Sequence, residues 1–380
     1  MKKIDIQISN RVNITEFIKC ISFISQEITD YKLNKDKIEI FVNDDIETED
    51  LKEKIESVAA KYQRNSFKHN KIWELKGERD YQVQVIENDR LFCRFENGML
   101  GLNNHSVFLY DFFEKKFEKI ALELGALKKR YPVLLNINEY KKTGYIKNSP
   151  QYAMFCCDAV EEMGVLEKLN DKIGTNELKE VVNIPQFALS PSACFHVYVE
   201  QENKVLDTNR IYTFTQNVFR NEGRLNYNDL GRLRDYHVRE VVFIGDENFV
   251  VEVRKNMMEK VTELVEKLNL FGEMDIASDP FVLPKMQKFK IMQLMDECKY
   301  ELKLNCSEDK QLSAASFNLH GTAFTYPFNI GVKGVDKPVT GCVGFGLERW
   351  VIAFLSQYGF DSDCWPETLK KELKSYEGLR

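Results

Sequence analysis

Hydrophobic and polar residues alternate along Ile4-Asp-Ile-Gln-Ile8 and again along Lys37-Ile-Glu-Ile-Phe-Val42. A period of two sends every second side chain to one sheet face, so both runs predict strands with one buried side. Between them, Asn13-Ile-Thr opens a helix expected to reach about Ile28, capped by Asn13 or Thr15. A second helix is expected from Thr48 to about Tyr62, and a third strand over 66–75. Residues 1–80 thus read as a small α/β domain, with the polar stretch 76–80 as its linker.

From Tyr81 the periodicity changes. Residues 89–102 predict a short hairpin. Residues 107–129 predict one long amphipathic helix, with Phe112, Phe113, Phe117, Ile120, Ala121 and Leu124 near helical spacing. Lys128, Lys129 and Arg130 close it, a favourable sign at a helix C-terminus. A proline-led strand follows over 131–137, and Ser190–Tyr198 leads toward another. Residues 210–218 and 234–245 are expected to pair antiparallel. A helix over 248–268, a strand over 299–304, and a strand over 341–346 running into a helix over 347–358 complete the pattern. The fold class expected for 81–380 is α+β, a mainly antiparallel sheet flanked by helices.

The 380 residues carry a formal net charge of −6 and are 29% charged. Acidic and basic residues nearly balance within 1–80. A broad RNA-binding face needs clustered lysine and arginine, so this composition argues against one. Nine scattered cysteines, with no apolar leader after Met1-Lys-Lys, favour a reduced cytoplasmic setting. No run reaches the roughly 20 apolar residues of a membrane span.

Two segments carry the chemistry. Phe219-Arg220-Asn221-Glu222 continues through Arg232, Tyr236 and Glu240, and Cys342-Val-Gly-Phe-Gly-Leu-Glu-Arg349 leads into an apolar helix. Neither a P-loop nor a Rossmann glycine pattern is present, so a nucleotide would have to be held differently. Joining a carboxylate to AMP needs cationic clamps and Mg²⁺ more than covalent work by protein groups. Arg220 suits the α-phosphate and Glu222 the adenine amino group. Tyr236 and Arg349 suit the two adenine faces, with Arg349 also near the γ-phosphate; Arg220 and Arg349 are the expected catalytic groups. Arg232 suits the β- and γ-phosphates, and Glu301 is the candidate Mg²⁺ carboxylate. Arg-x-Glu and Glu-Arg pairs also occur as nearly neutral surface ion pairs. Cys194, Glu240 and Cys342 stand out as soft or acidic ligands on three strands around one pocket. Such a set with an open fourth position would be a substrate-binding zinc. Buried thiols are the commoner fate of cysteines, and Cys156, Cys157, Cys298 and Cys306 compete.

The two segments resemble motifs 2 and 3 of class II aminoacyl-tRNA synthetases, and the long helix with its proline-led strand resembles motif 1. Residues from about 95 to 365 resemble the seryl-tRNA synthetase branch, closest to its truncated homologues, the amino acid:[carrier protein] ligases. Asn148-Ser-Pro-Gln151, Leu189-Ser-Pro-Ser-Ala-Cys194, Asp279-Pro-Phe281 and Ala315-Ser-Phe-Asn-Leu-His320 extend the match. The resemblance implies a class II catalytic domain and a homodimer built on motif 1. It implies zinc on Cys194, Glu240 and Cys342, as in those ligases and the methanogen-type seryl-tRNA synthetases. It also implies ATP with Mg²⁺, and Ser316 and Asn318 in a pocket for glycine, alanine or serine. His320 suits either that pocket or a structural role. The acyl group would pass to the phosphopantetheine thiol of a carrier protein, and tRNA would be an improbable partner. The basic stretch Lys285, Lys288 and Lys290 suits either a docking patch for an acidic carrier or, more commonly, a solvated helix face. Two alternatives remain: a seryl-type synthetase charging tRNA, or a non-catalytic synthetase paralogue. Residues 1–80 exceed what the minimal ligases carry. The region 313–320 lacks the acidic residue of ordinary seryl-tRNA synthetases.

Overall fold

The computed structural model describes residues 2–34, 37–63, 71–96 and 98–377. The N-terminal part contains β1 (Lys2–Gln7), α1 (Ile14–Cys20), β2 (Ile28–Asn34), β3 (Lys37–Val42) and α2 (Thr48–Ala59). β1 and β2 both pair antiparallel with β3. Alternate residues Ile4, Ile6, Ile38, Ile40 and Val42 face Phe17, Leu51 and Ile55 in a core of its own. The Asn13 side chain caps α1 by accepting from the Glu16 amide at 3.3 Å. The helix expected to reach Ile28 stops at Cys20, passes through a single tight turn at Ile21–Phe23, and gives way to β2. The free edge of β3 takes up the backbone groups of 28–34, a gain no local helical propensity offsets.

The strand expected over 66–75 is described only as β4 (Lys71–Leu75), since 64–70 lie outside the described residues. It does not join β1–β3. It lies on the edge of a larger sheet.

Among the described residues that sheet has eight strands. Along the chain, α3 (His105–Glu123), β5 (Leu127–Lys128), α4 (Phe195–Glu200), β6 (Arg210–Phe219) and β7 (Asp235–Gly245) come first. Then follow α5 (Glu247–Lys267), β8 (Gly272–Ile276), α6 (Gln287–Met295), β9 (Lys299–Asn305), β10 (Gln311–Gly321), β11 (Val339–Gly346) and α7 (Leu347–Tyr358). The spatial order is β4-β8-β9-β10-β11-β7-β6-β5. Every pairing is antiparallel except β6 with the two-residue β5. This is the expected α+β architecture.

Three details depart from the sequence reading. α3 ends at Glu123 because Gly125 takes a left-handed φ of +83°, the usual glycine stop, and Leu127–Lys128 turn back into the sheet. Residues 272–276, not anticipated as a strand, become β8. The segment after Ser190 forms α4 rather than a strand, and Cys194 stands at its N-terminal end. Phe195, Val197 and Tyr198 are all buried there, so a short helix hides apolar surface that a sheet edge would leave in water.

One face of the sheet carries α3, α5 and α7 over the main core. Phe117 and Phe345 stack at 4.1 Å between centroids, and the buried Trp350 donates to the Ala314 carbonyl at 2.9 Å. The opposite face is open at its centre. Among the described residues no helix is long and apolar enough to cross a membrane.

Gly341 on β11 has no room for a side chain. A Cβ there would sit 2.1 Å from the Phe243 ring and 2.7 Å from the Asn318 carbonyl oxygen. Gly341→Ala is expected to cost about 2 kcal/mol or more, by overpacking, in equilibrium denaturation; an unchanged midpoint would show that the strand pair yields freely.

Candidate active site

Strand register builds the site. Glu240 on β7 lies opposite Gly344 on β11, and Val238 opposite Gly346. Ser316 and Asn318 on β10 lie opposite Gly344 and Cys342. Glu301 and Lys299 on β9 lie opposite Ser316 and Asn318. Successive side chains alternate faces, so all of these point away from the main core and onto the open face. There they line a cavity of about 210 Å³, together with Cys194, Arg220, Tyr236, Asp279, His320 and Arg349. Arg220, Lys299, Glu301 and Arg349 also border a larger cavity of about 650 Å³. Glu222, Arg232, Lys290, Lys303 and Lys310 line that second space, and Thr15, Glu16 and Lys19 close it from the N-terminal part.

At the cavity floor, the donor atoms of Cys194, Glu240 and Cys342 all lie within 4.8 Å of one another, and all three residues are buried. They do not come from three strands, since Cys194 starts α4. Burial pushes the Glu240 carboxyl up to about 8. The neighbouring Cys194 thiol, together with burial and Glu240, raises the Cys342 thiol well above its usual range. Three acidic groups thus converge with little positive charge to balance them, although Arg220 lies near enough to favour Glu240 ionisation. A divalent ion would relieve that, and two sulfurs with one carboxylate suit zinc with a position left open. Cys156, Cys157, Cys298 and Cys306 are not part of this group, and none of the nine cysteines is in a disulfide. His320 accepts or donates at Thr340 Oγ1 (3.1 Å), packs edge-on to Phe324, and places Nε2 3.6 Å from Cys342 Sγ. The Asn318 amide donates to Ser316 Oγ at 3.2 Å and lies 3.4 Å from the Cys342 carbonyl oxygen.

Around the upper cavity, Arg220 donates through Nε to the Pro191 carbonyl at 3.0 Å and lies over the rings of Tyr152 and Tyr236. Glu222 is buried and paired with Arg232 at 3.0 Å. The groups expected at opposite ends of a nucleotide therefore hold one another here. The Arg349 guanidinium sits 4.8 Å from the Tyr236 ring centre and donates to the Gly231 and Ser313 carbonyls at 3.1 and 3.2 Å. A base stacked between Arg349 and Tyr236 would require that guanidinium to leave the two carbonyls. Lys299 Nζ bridges Asp279 and Glu301, 3.0 Å from each, and lowers both carboxyls despite burial. Glu301 can hold Mg²⁺ only where this lysine withdraws, because a hard cation needs unshared carboxylate oxygens. Asp279 and Lys299 had no expected role. The signal was present, since Lys299 and Glu301 two positions apart share a strand face.

Of the expected basic stretch, Lys285 and Lys288 are exposed and Lys290 is not. Lys290 is largely buried and pairs with Glu16 of the N-terminal part at 2.9 Å.

The chain is similar to proteins of known name. No protein-family model matches it. A type-2 serine–tRNA ligase of Methanocaldococcus jannaschii is 28% identical over 271 residues, 68% of this chain and 52% of that protein. One from Methanopyrus kandleri is 26% identical over 285 residues, 69% and 54% of the two chains. The chain is class II aminoacyl-tRNA synthetase-like and related to type-2 seryl-tRNA synthetases. It spans about half the length of the curated relatives it matches. Among solved structures, the M. kandleri seryl-tRNA synthetase in complex with A. aeolicus tRNASec aligns with a TM-score of 0.73 at 20% identity, covering 99% of this chain and 78% of that one. The seryl-tRNA synthetase of Pyrococcus horikoshii complexed with ATP gives 0.56 at 13% identity, covering 79% and 64%. These likenesses confirm the class II fold.

They also correct two expectations. The relatives are named as tRNA ligases, and one of the structural neighbours holds a tRNA. The carrier-protein acceptor and the expectation that tRNA is an improbable partner are therefore overturned. The charge argument used totals. Lys19, Lys290, Lys303 and Lys310 border one cavity from three separate stretches of chain, each paired with a carboxylate: Lys19 and Lys290 with Glu16, Lys303 with Asp275 and Lys310 with Asp229.

Metal analysis tests the floor cluster. About one zinc per chain is expected in purified protein, with Cys194→Ser and Cys342→Ser each losing most of it and melting at lower temperature. Wild-type protein that stays metal-free after zinc loading, with an unshifted melting temperature, would refute the site.

Proposed function

We propose that this protein joins an amino acid, serine first among candidates, to ATP as an aminoacyl-adenylate and then transfers it to tRNA. The observation that carries the reading is the meeting, on one sheet face, of Arg220, Glu222, Arg232 and Arg349 with the Cys194–Glu240–Cys342 cluster. The names of the relatives support serine and tRNA as the substrates.

In this reading the carboxylate oxygen of the amino acid attacks the α-phosphorus of ATP, and pyrophosphate leaves. Arg220, steadied by Pro191 and flanked by two tyrosine rings, presents its fork of donors to the α-phosphate as negative charge builds. Arg349 leaves its carbonyl partners to cover one face of the adenine, and Tyr236 covers the other. Glu222 exchanges Arg232 for the adenine amino group, which frees Arg232 for the phosphate tail. Ser316 and Asn318, beside the floor cluster, contact the amino acid side chain. A zinc held by Cys194, Glu240 and Cys342 would supply a Lewis acid for the amine, so acids lacking an amine would bind poorly. In the second step a ribose hydroxyl at the tRNA end attacks the acyl carbon, and AMP departs. The lysines around the larger cavity suit the phosphodiester chain of that acceptor.

ATP–pyrophosphate exchange over the twenty amino acids, followed by tRNA charging, tests this. Exchange with serine and acylation of tRNA are expected. Arg220→Ala should lower exchange by about a hundredfold or more while the far-ultraviolet spectrum stays native. Absence of exchange with every amino acid, in zinc-replete protein with and without tRNA, would favour a non-catalytic paralogue instead.

A further inference from the structure

The loop 220–234 joins β6 to β7 and carries Arg220, Glu222 and Arg232, three groups of the nucleotide reading. It is tied to the N-terminal part of the chain at several points. Arg224 donates through Nη1 to the Ser22 carbonyl at 3.2 Å, and through Nη2 to the Gln26 carbonyl at 2.8 Å and to that of Ile28. The Ser22 carbonyl belongs to the tight turn at Ile21–Phe23, where carbonyls lack intrahelical donors, and those of Gln26 and Ile28 follow in the link to β2 and at its first residue. Only a planar, five-donor cation can serve several of them at once.

Two neighbours extend the contact. The Asn226 amide donates to the Lys19 carbonyl at 3.0 Å and to the Glu222 carbonyl at 2.7 Å, so one side chain links the N-terminal part to the backbone of Glu222. Gly223, at φ +90°, lies so close that a Cβ would meet Ser22 Oγ at 2.7 Å and the Phe23 ring at 2.8 Å. The Glu222 amide in turn donates to the Tyr227 hydroxyl at 3.1 Å.

We propose that Arg224 is a positioning residue, a latch that fixes the nucleotide loop against residues 14–28 and thereby makes the N-terminal part an integral wall of the ATP site. This rests on the adenylate-forming reading. Arg224 touches no substrate in that reading. It acts through Gly223 and Asn226 on the backbone that presents Glu222, and Glu222 holds Arg232. Arg224 is itself exposed, so removing its side chain opens no cavity in either core.

The test uses the full chain with Arg224→Ala and Arg224→Lys. In Arg224→Ala the backbone amides of 221–232 should exchange with deuterium about tenfold faster, while the melting temperature moves by only about 2 °C. In pyrophosphate exchange KM for ATP should rise about tenfold, with KM for the amino acid and kcat within about twofold. Arg224→Lys, with three donors in place of five, should recover part of both effects. Unchanged loop exchange with unchanged KM for ATP would overturn the latch. So would a uniform loss of every parameter alongside the melting temperature. If wild-type protein activates no amino acid, the adenylate reading fails on its own account. Deuterium exchange and calorimetric titration with ATP alone then still decide the latch, the expected results being faster loop exchange and weaker ATP binding in Arg224→Ala.

Discussion

Strand register across β9, β10, β11 and β7 is the constraint on which the rest of this molecule depends. On one face these strands present Tyr300, Leu302, Phe317, Val343, Phe345, Val241 and Phe243 to the helices. On the other they present Lys299, Glu301, Ser316, Asn318, Cys342 and Glu240 to a cavity. The two sets interleave residue by residue. A slip of one position would bury Lys299 and Glu301 of β9 or Glu240 of β7 in the core, and on β7, β10 or β11 would move Phe243, Phe317 or Phe345 toward the cavity. The core that stabilises the fold and the site that gives it chemistry are thus specified by the same alternation. The cost of burying Glu301, Lys299 and Glu240 unpartnered in that core is the force that holds the register.

Glycine gives the polar face its depth. Gly344 lies between Glu240 and Ser316 in register, and a Cβ there would come 3.0 Å from Glu240 Oε2. Gly346, one strand repeat on, leaves space between Tyr236 and Arg349. The G-x-G spacing is therefore two consecutive open-face positions of one strand, with Phe345 between them pointing into the core. Read this way, the motif is a geometric consequence of a cavity sunk into a sheet, and the helix that follows carries Arg349 to its rim.

This logic also separates what the sequence could tell from what it could not. The alternation in 299–304 and 341–346 is local, as are the Phe219–Glu222 and Gly344–Arg349 words, so the sheet class and the composition of its central face were legible. Cys194, Glu240 and Cys342 were identified through a resemblance, and their convergence follows from register, although the element carrying Cys194 was misjudged because its apolar run suits a strand equally well. β2 was missed although it pairs with β3, the next strand in the chain, because its residues 28–34 alternate less clearly. Two other features depend on contacts between distant segments and leave no local trace. β4 leaves the N-terminal strands for β8. Lys290, which read as an exposed basic stretch, is turned inward by Glu16 from 274 positions earlier in the chain.

The charge layout sets the direction in which a substrate can lie. At the floor, three acidic side chains converge where burial raises the Glu240 carboxyl to about 8 and helps raise the Cys342 thiol, so their ionised forms call for a cation such as the proposed zinc. At the rim, Arg220 and Arg349 have no carboxylate partner, while Arg232 is paired with Glu222 and Lys299 with Asp279 and Glu301, so an anion entering there meets the two arginines first. An amino acid carries one charge of each sign a few bonds apart. In the proposed reading the neutral amine binds the zinc that the floor cluster would hold, and the carboxylate goes to Arg220 beside the α-phosphate, so that the reacting oxygen faces the nucleotide.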